Sequence, residues 1–179
     1  MKKIILLLVG VMALQTANAQ KYITRSGYIK FFSTTPVEDI EAASNQASSV
    51  LDTEAKQIVF QVLMNSFQFE KALMQEHFNE NYVESEKYPK GTFSGSFTTD
   101  ADISQDGEHS IQVKGKLNVH GVDRSIDETM TLTKKGDEYF LLGVFNVSPA
   151  MFKIDIPSAV RDKIGSEIEV TVKAKYQAK

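Results

Sequence analysis

The chain has 179 residues, 20 Lys and Arg against 23 Asp and Glu, and neither cysteine nor tryptophan. That length suits one domain with a sizeable core. The lack of cysteine excludes a disulfide scaffold and a thiol nucleophile, and an acidic balance without a basic cluster argues against a nucleic-acid partner.

The first nineteen residues have the order of a secretory signal peptide. Lys2 and Lys3 form a basic start, Ile4 to Leu14 an apolar run, and Ala17-Asn18-Ala19 a small-x-small cleavage site. The run is shorter than the roughly 20 apolar residues that span a bilayer, so stable membrane insertion is not expected. No cysteine follows it to carry a lipid anchor. The expected product is a domain over residues 20–179 with net charge −5, since the leader removes two lysines. Such a surface disfavours docking on anionic lipid.

From residue 20 onward, short alternating segments are separated by turn residues, the pattern of strands. Tyr22 to Phe32 places Ile23, Ile29 and Phe31 on one side. Thr35-Pro36-Val37-Glu38 reads as a capping box with proline at the first helical position, which predicts a short helix to about Asn45. Ser48 to Asp52 is a short strand. Ile58 to Phe67 is a strong one, with Ile58, Phe60, Val62 and Met64 on one face and Val59, Leu63 and Phe67 on the other. Over Glu70 to Asn79 the period changes, and Met74, Phe78 and Tyr82 form one helical stripe. Pro89 ends it.

The remainder reads as hairpins. Thr92 to Asp102 carries Phe93 and Phe97 on one face, and Asp106-Gly107 is a turn signal. In Ser110 to Val119, Ile111, Val113, Gly115, Leu117 and Val119 alternate with polar residues. Turns at Gly121 to Asp123 and Lys135 to Asp137 bracket Ile126, Met130 and Leu132. Tyr139 to Val147 and Ile168 to Tyr176 complete about eight strands. Between them, Pro149 and Pro157 flank irregular chain, with a helical turn or two over Ser158 to Ile164. The fold class is therefore all-β, an antiparallel meander with two short helices. Alternation alone does not separate a closed barrel, which removes exposed edges, from an open sandwich.

No catalytic constellation stands out. There is no G-x-S-x-G elbow. His109 and His120 lie roughly 36 Å apart at opposite ends of one strand, and His77 has no H-E-x-x-H companion, so neither a metal nor a cofactor is expected. Asn146-Val147-Ser148 is a formal sequon at a strand end, read as chance. An aromatic and methionine-rich set is the better candidate site: Phe60, Val62, Phe67, Phe69, Met74, Phe78, Tyr82, Phe93, Phe97 and Phe145, with Phe140 beside them. Large, adaptable apolar surfaces suit an apolar chain. The same residues would equally fill a core.

Three segments resemble the YceI family. Met74 to Phe93 is similar to the family's helix followed by Tyr-Pro and a strand phenylalanine. Val113 to Ile126 matches its G-x-L-x-x-x-G-V-x-x-x-[I/V] hairpin. Glu167 to Tyr176, preceded by Asp162-Lys163-Ile164-Gly165, resembles its last strand. The resemblance implies an eight-stranded antiparallel lipocalin-like β-barrel with an apolar tunnel, periplasmic rather than secreted, and a polyisoprenoid or similar long-chain lipid as partner. It implies no enzyme activity. Arg25-Ser26-Gly27-Tyr28 stands where typical members have a tryptophan strand and a His-Ser pair. Ser148 to Lys153 stands where they have Arg and Phe-Gly. These departures leave open a shorter or plugged tunnel, and with it a filled barrel acting through its surface as a partner-binding or stress-protective protein. A homodimer is compatible with either reading.

Overall fold

The computed structural model describes residues 21–179; the expected signal peptide lies outside the described residues. Eight long strands are β1 (Lys21–Thr34), β2 (Asp39–Asp52), β3 (Gln57–Leu63), β5 (Lys90–Thr98), β6 (Gly107–Val119), β7 (Val122–Lys135), β8 (Glu138–Val147) and β9 (Ile168–Ala178), and a two-residue strand β4 (Gln68–Phe69) adds to β2. All pairings are antiparallel, in the order β1-β9-β8-β7-β6-β5-β3-β2, and β1 also pairs with β2. The sheet is thus a closed eight-stranded barrel, which settles the choice between barrel and sandwich. An eight-stranded barrel has room along its axis for packed side chains or for one small ligand.

The predicted helix after Thr35 does not form; residues 39–52 are β2. The capping bonds do exist. Thr35 Oγ1 accepts from the Val37 and Glu38 N–H groups at 3.2 and 3.1 Å. They close a hairpin turn instead, because Thr35 N–H also bonds the Glu38 carbonyl at 3.1 Å. The same side-chain–backbone bond serves a helix start or a turn, and pairing with β1 decides the outcome. Among the described residues one α-helix remains, α1 (Ala72–His77), continued by a π-turn over Phe78–Tyr82.

Two irregularities in the β1–β2 ladder, between Thr24 and Ile29, change which residues face inward. Tyr22 and Thr24 are buried before the irregularity, and Ser33 is buried after it at the other parity. Ile23 therefore does not share a face with Ile29 and Phe31. On β2, burial likewise moves from Ala42 and Ser44 to Ala47, Ser49 and Leu51. In β3, Ile58, Phe60 and Val62 point in, and Val59 and Leu63 are exposed. That outer face is not part of the core. Phe67 is buried because a 3-10 turn over Met64–Ser66 resets its direction.

The strand order sorts the connections between two ends. Short turns at 53–56 and 136–137 and the loop at 99–106 close one end. The β1–β2 turn, the β6–β7 turn and two long connections, 64–89 and 148–167, lie at the other. His120 ties these long connections together. Its Nδ1 meets the Phe152 carbonyl at 3.1 Å and its Nε2 the Glu84 carboxylate at 2.6 Å, while Tyr88 packs edge-on against its ring. Hydrogen bonding to His120 is the main cause that holds the Glu84 carboxyl below its usual range. Gly121 follows at φ +70°, where a β-carbon would lie 2.6 Å from the Tyr88 ring, so both backbone and space require glycine there.

Candidate functional site

Along each inward face the burial changes character from one end to the other. At the short-turn end, Tyr22, Leu51, Phe97, Ile111, Leu132, Tyr139 and Tyr176 are packed against one another. Phe97 is 1% exposed and Tyr176 is 0% exposed. The polar atoms in this plug are paired. The Ser49 hydroxyl donates to the Val59 carbonyl at 2.7 Å, which leaves its oxygen to accept from the Tyr176 hydroxyl at 2.7 Å. Tyr139 donates to the Ile103 carbonyl at 2.9 Å, closing the 99–106 loop over the end. Burial pushes the Tyr139 phenol up to about 12 and raises that of Tyr176 further.

Beyond a floor that includes Ile58, Phe60, Val113, Met130 and Val172, the axis is open. A cavity of about 550 Å³ occupies the other half. Its walls continue the same strand faces: Phe93 on β5, Leu117 and Val119 on β6, Ile126 on β7, Phe145 and Val147 on β8, and Ile168 and Val170 on β9. The connection 64–89 supplies Met64, Phe67, Phe69, Met74, Phe78, Tyr82 and Val83. Its aromatic rings gather round Phe31 of β1, whose centroid lies 5.3 Å from Phe67, 5.6 Å from Phe69 and 5.2 Å from Phe78. Such spacing is favourable for aromatic pairs. The Ser44 and Ser66 hydroxyls bond at 2.7 Å behind this cluster, joining the connection to β2.

Phe60, Val62, Phe67, Phe69, Met74, Phe78, Tyr82, Phe93 and Phe145 therefore line one cavity. Phe97 does not; it belongs to the plug. Phe140 also lies elsewhere. It alternates with the inward Tyr139 and Leu141, and its ring sits under the Lys175 ammonium at 5.6 Å. Phe31 and Ile29 have inward alternation in the sequence but carry no sign of being a hub. The 148–167 connection was the less legible part: Phe152, Ile154, Ile156, Val160 and Ile164 line the cavity. Their even spacing was the available signal, masked by Pro149 and Pro157.

Among the described residues that line the cavity, the charged ones, Glu38, Lys71 and Lys163, stand at its rim. Lys71 donates to Glu38 Oε1 at 2.8 Å, linking the start of α1 to the β1–β2 turn. Lys163 of the 148–167 connection also lines the opening. Hydrogen bonding to Lys71, then its charge and that of Lys163, keep the Glu38 carboxyl below its usual range. Among the described residues no group of three or more His, Cys, Asp or Glu is arranged to hold a metal, and no helix is long and apolar enough to cross a membrane.

Comparison with solved structures finds the same fold at low identity. A polyisoprenoid binding domain from Saccharophagus degradans, implicated in plant cell wall breakdown, matches with TM-score 0.75 and 15% identity, covering 90% of this chain and 99% of that one. Burkholderia cenocepacia BcnA matches with TM-score 0.71 and 14% identity, over 84% of this chain and 95% of its own. A Campylobacter jejuni YceI protein matches with TM-score 0.57 and 16% identity, over 100% and 99% of the two chains. A comparison with curated proteins finds no match. The model of the YceI-like domain matches residues 17–176, and the chain belongs to the YceI-like family.

Proposed function

We propose that this protein is an exported carrier that holds one long apolar lipid, a polyisoprenoid or a similar chain, in the hollow half of its barrel. The observation that carries this reading is the cavity itself. A volume of about 550 Å³ with walls that are apolar below the rim falls within the roughly 300–1,000 Å³ of small-molecule sites. Aromatic and methionine side chains supply contact without fixing one shape, which suits a flexible hydrocarbon. Affinity would come from removing apolar surface from water, about 25 cal/mol per Å² before the cost of association. The Saccharophagus domain described as polyisoprenoid-binding shares the fold and supports the ligand class. The hollow half also favours a carrier over a filled barrel that acts only through its surface. Phe60, Val62, Phe67, Phe69, Met74, Phe78, Tyr82, Phe93 and Phe145 are the proposed contacts, and no catalytic step is assigned.

Native mass spectrometry of the protein from its own host, followed by organic extraction, tests the reading. A bound mass of isoprenoid or long-chain lipid, released on denaturation, is the expected result. A clean apo mass that persists after incubation with quinones and polyprenyl lipids would overturn it. The same spectra test export, since cleavage after Ala19 leaves a chain starting at Gln20.

A further inference from the structure

We propose that the ligand is an amphiphile with one anionic head, a carboxylate or a phosphate, held at the rim by Lys71 and Lys163 while its tail fills the cavity. The proposal rests on the carrier reading above and adds to it the ligand's polarity and orientation.

Orientation follows from the closed floor. The plug of Phe97, Leu132, Tyr139 and Tyr176 fills the barrel below the cavity, so a chain that enters cannot emerge at the far end. Deep lining residues such as Phe60, Val62, Val113, Ile126 and Met130 offer no hydrogen bond to a polar group. A head buried there would lose its water without compensation, a cost of several kcal/mol for a neutral group and more for a charged one. Ser33, whose hydroxyl oxygen accepts the Gly165 N–H at 2.8 Å, keeps an O–H donor, but it stands at the end of β1 beside the β1–β2 turn, at the opening and not in the depth. The head therefore stays at the opening, and the tail points inward.

The head's charge follows from the groups that line that opening. Lys71 and Lys163 are cations and Glu38 is the one carboxylate among the lining residues; His77 and Tyr82 are the other titratable members. Glu38 is engaged by Lys71. Lys163 acts on Glu38 through its charge, yet its ammonium makes no ion pair or side-chain hydrogen bond among the described residues. The Lys71 side chain remains 60% exposed, leaving donors free beyond the one given to Glu38. Lys71 faces Glu38 and, by charge alone, Glu70, whereas Lys163 shares only Glu38; an anionic head completes the pairing of Lys163. A neutral head accepts a hydrogen bond there but gains no charge pairing. The Tyr82 hydroxyl is partly desolvated, which raises its pKa, and is a further donor in the lining.

The test compares heads on a constant tail, using geranylgeranyl phosphate against geranylgeraniol and palmitate against palmityl alcohol. Each is titrated into the delipidated mature protein at low salt. In both pairs the anion is expected to bind more tightly, and Lys163→Gln is expected to reduce that preference about two- to fivefold, as for an exposed ion pair. Glu38→Gln, which removes the competing carboxylate, is expected to widen it. Circular dichroism melts confirm that both variants fold. Preference in only one pair would identify the head as phosphate or as carboxylate. Equal or tighter binding of the alcohols would overturn the anionic head and leave the lipid carrier standing. A preference that neither variant changes would overturn the assignment to this rim. Failure of all four probes to bind would overturn the carrier reading itself.

Discussion

At one end of this barrel, strand alternation packs Phe97, Leu132, Tyr139 and Tyr176 into one cluster, each 3% exposed or less. At the other, the same strands present Phe93, Ile126, Phe145 and Val170 to an open axis. Both ends are apolar inside, so hydrophobicity does not distinguish them. The connections do. Short turns and the Ile103 loop let the first end close on its own side chains. At the second, two long connections stand off the axis, tied to each other by His120, Glu84 and Phe152. A plugged end supplies stability, and a propped end leaves room for a guest.

Truncation should separate the two ends most sharply. Phe97→Ala is expected to cost about 3–5 kcal/mol, the usual range for a packed phenylalanine. Phe78→Ala, at a partly buried position in the wall of the cavity, should cost clearly less, because part of the ring already borders empty space and loses no contacts there. Urea unfolding of both variants measures the contrast. Similar losses at the two positions would mean that the cavity is not open in solution.

Polar groups in the plug sharpen the comparison at smaller scale. Tyr176→Phe removes the hydroxyl that donates to Ser49 but leaves the Ser49 bond to Val59 in place. The expected loss is about 1–2 kcal/mol, that of one buried hydrogen bond. The plug also predicts an alkaline limit. Tyr139 has its phenol raised to about 12 by burial, against about 10 in the unfolded chain. The unfolded chain therefore binds fewer protons between these values, and stability should fall as pH rises from about 10 to 12. Denaturation midpoints over that range should drop, and Tyr139→Phe should flatten the decline.

The barrel was legible because its strands alternate cleanly. Ile111 to Val119 reads as one inward face from the sequence, and so it is. The cavity wall was legible for a related reason: large aromatics recur on the inward positions. Two parts were not. Thr35 to Glu38 forms the side-chain bonds of a helix cap in a hairpin turn, since pairing along the length of β1 and β2 overrides a local signal. The division between Phe97 and Phe93, four residues apart on one face, has no local signature at all. Which of them touches a guest depends on how far up the axis Tyr176, Leu132 and Ile111 reach.

The floor between the two halves gives the finest test. Gly143 of β8 lies against Met130, and a β-carbon there would come within 2.7 Å of the Met130 sulfur and 3.0 Å of its methyl group. Met130 is a flexible side chain with the cavity on its other side. Gly143→Ala should therefore push the thioether into the cavity, without the backbone collision that Gly115→Ala would cause against the Ser94 carbonyl at 2.5 Å. Stability should change by less than about 1 kcal/mol, since the strand backbone gains an alanine while Met130 repacks. Capacity should change more. In a series of lipids that share a head and differ in tail length, the longest tails should lose affinity and the shortest keep it. Uniform weakening across the series would show instead that the whole cavity had been disturbed, and no effect at any length would mean that tails stop short of Met130. The length at which affinity begins to fall measures how deep the guest sits above the plug.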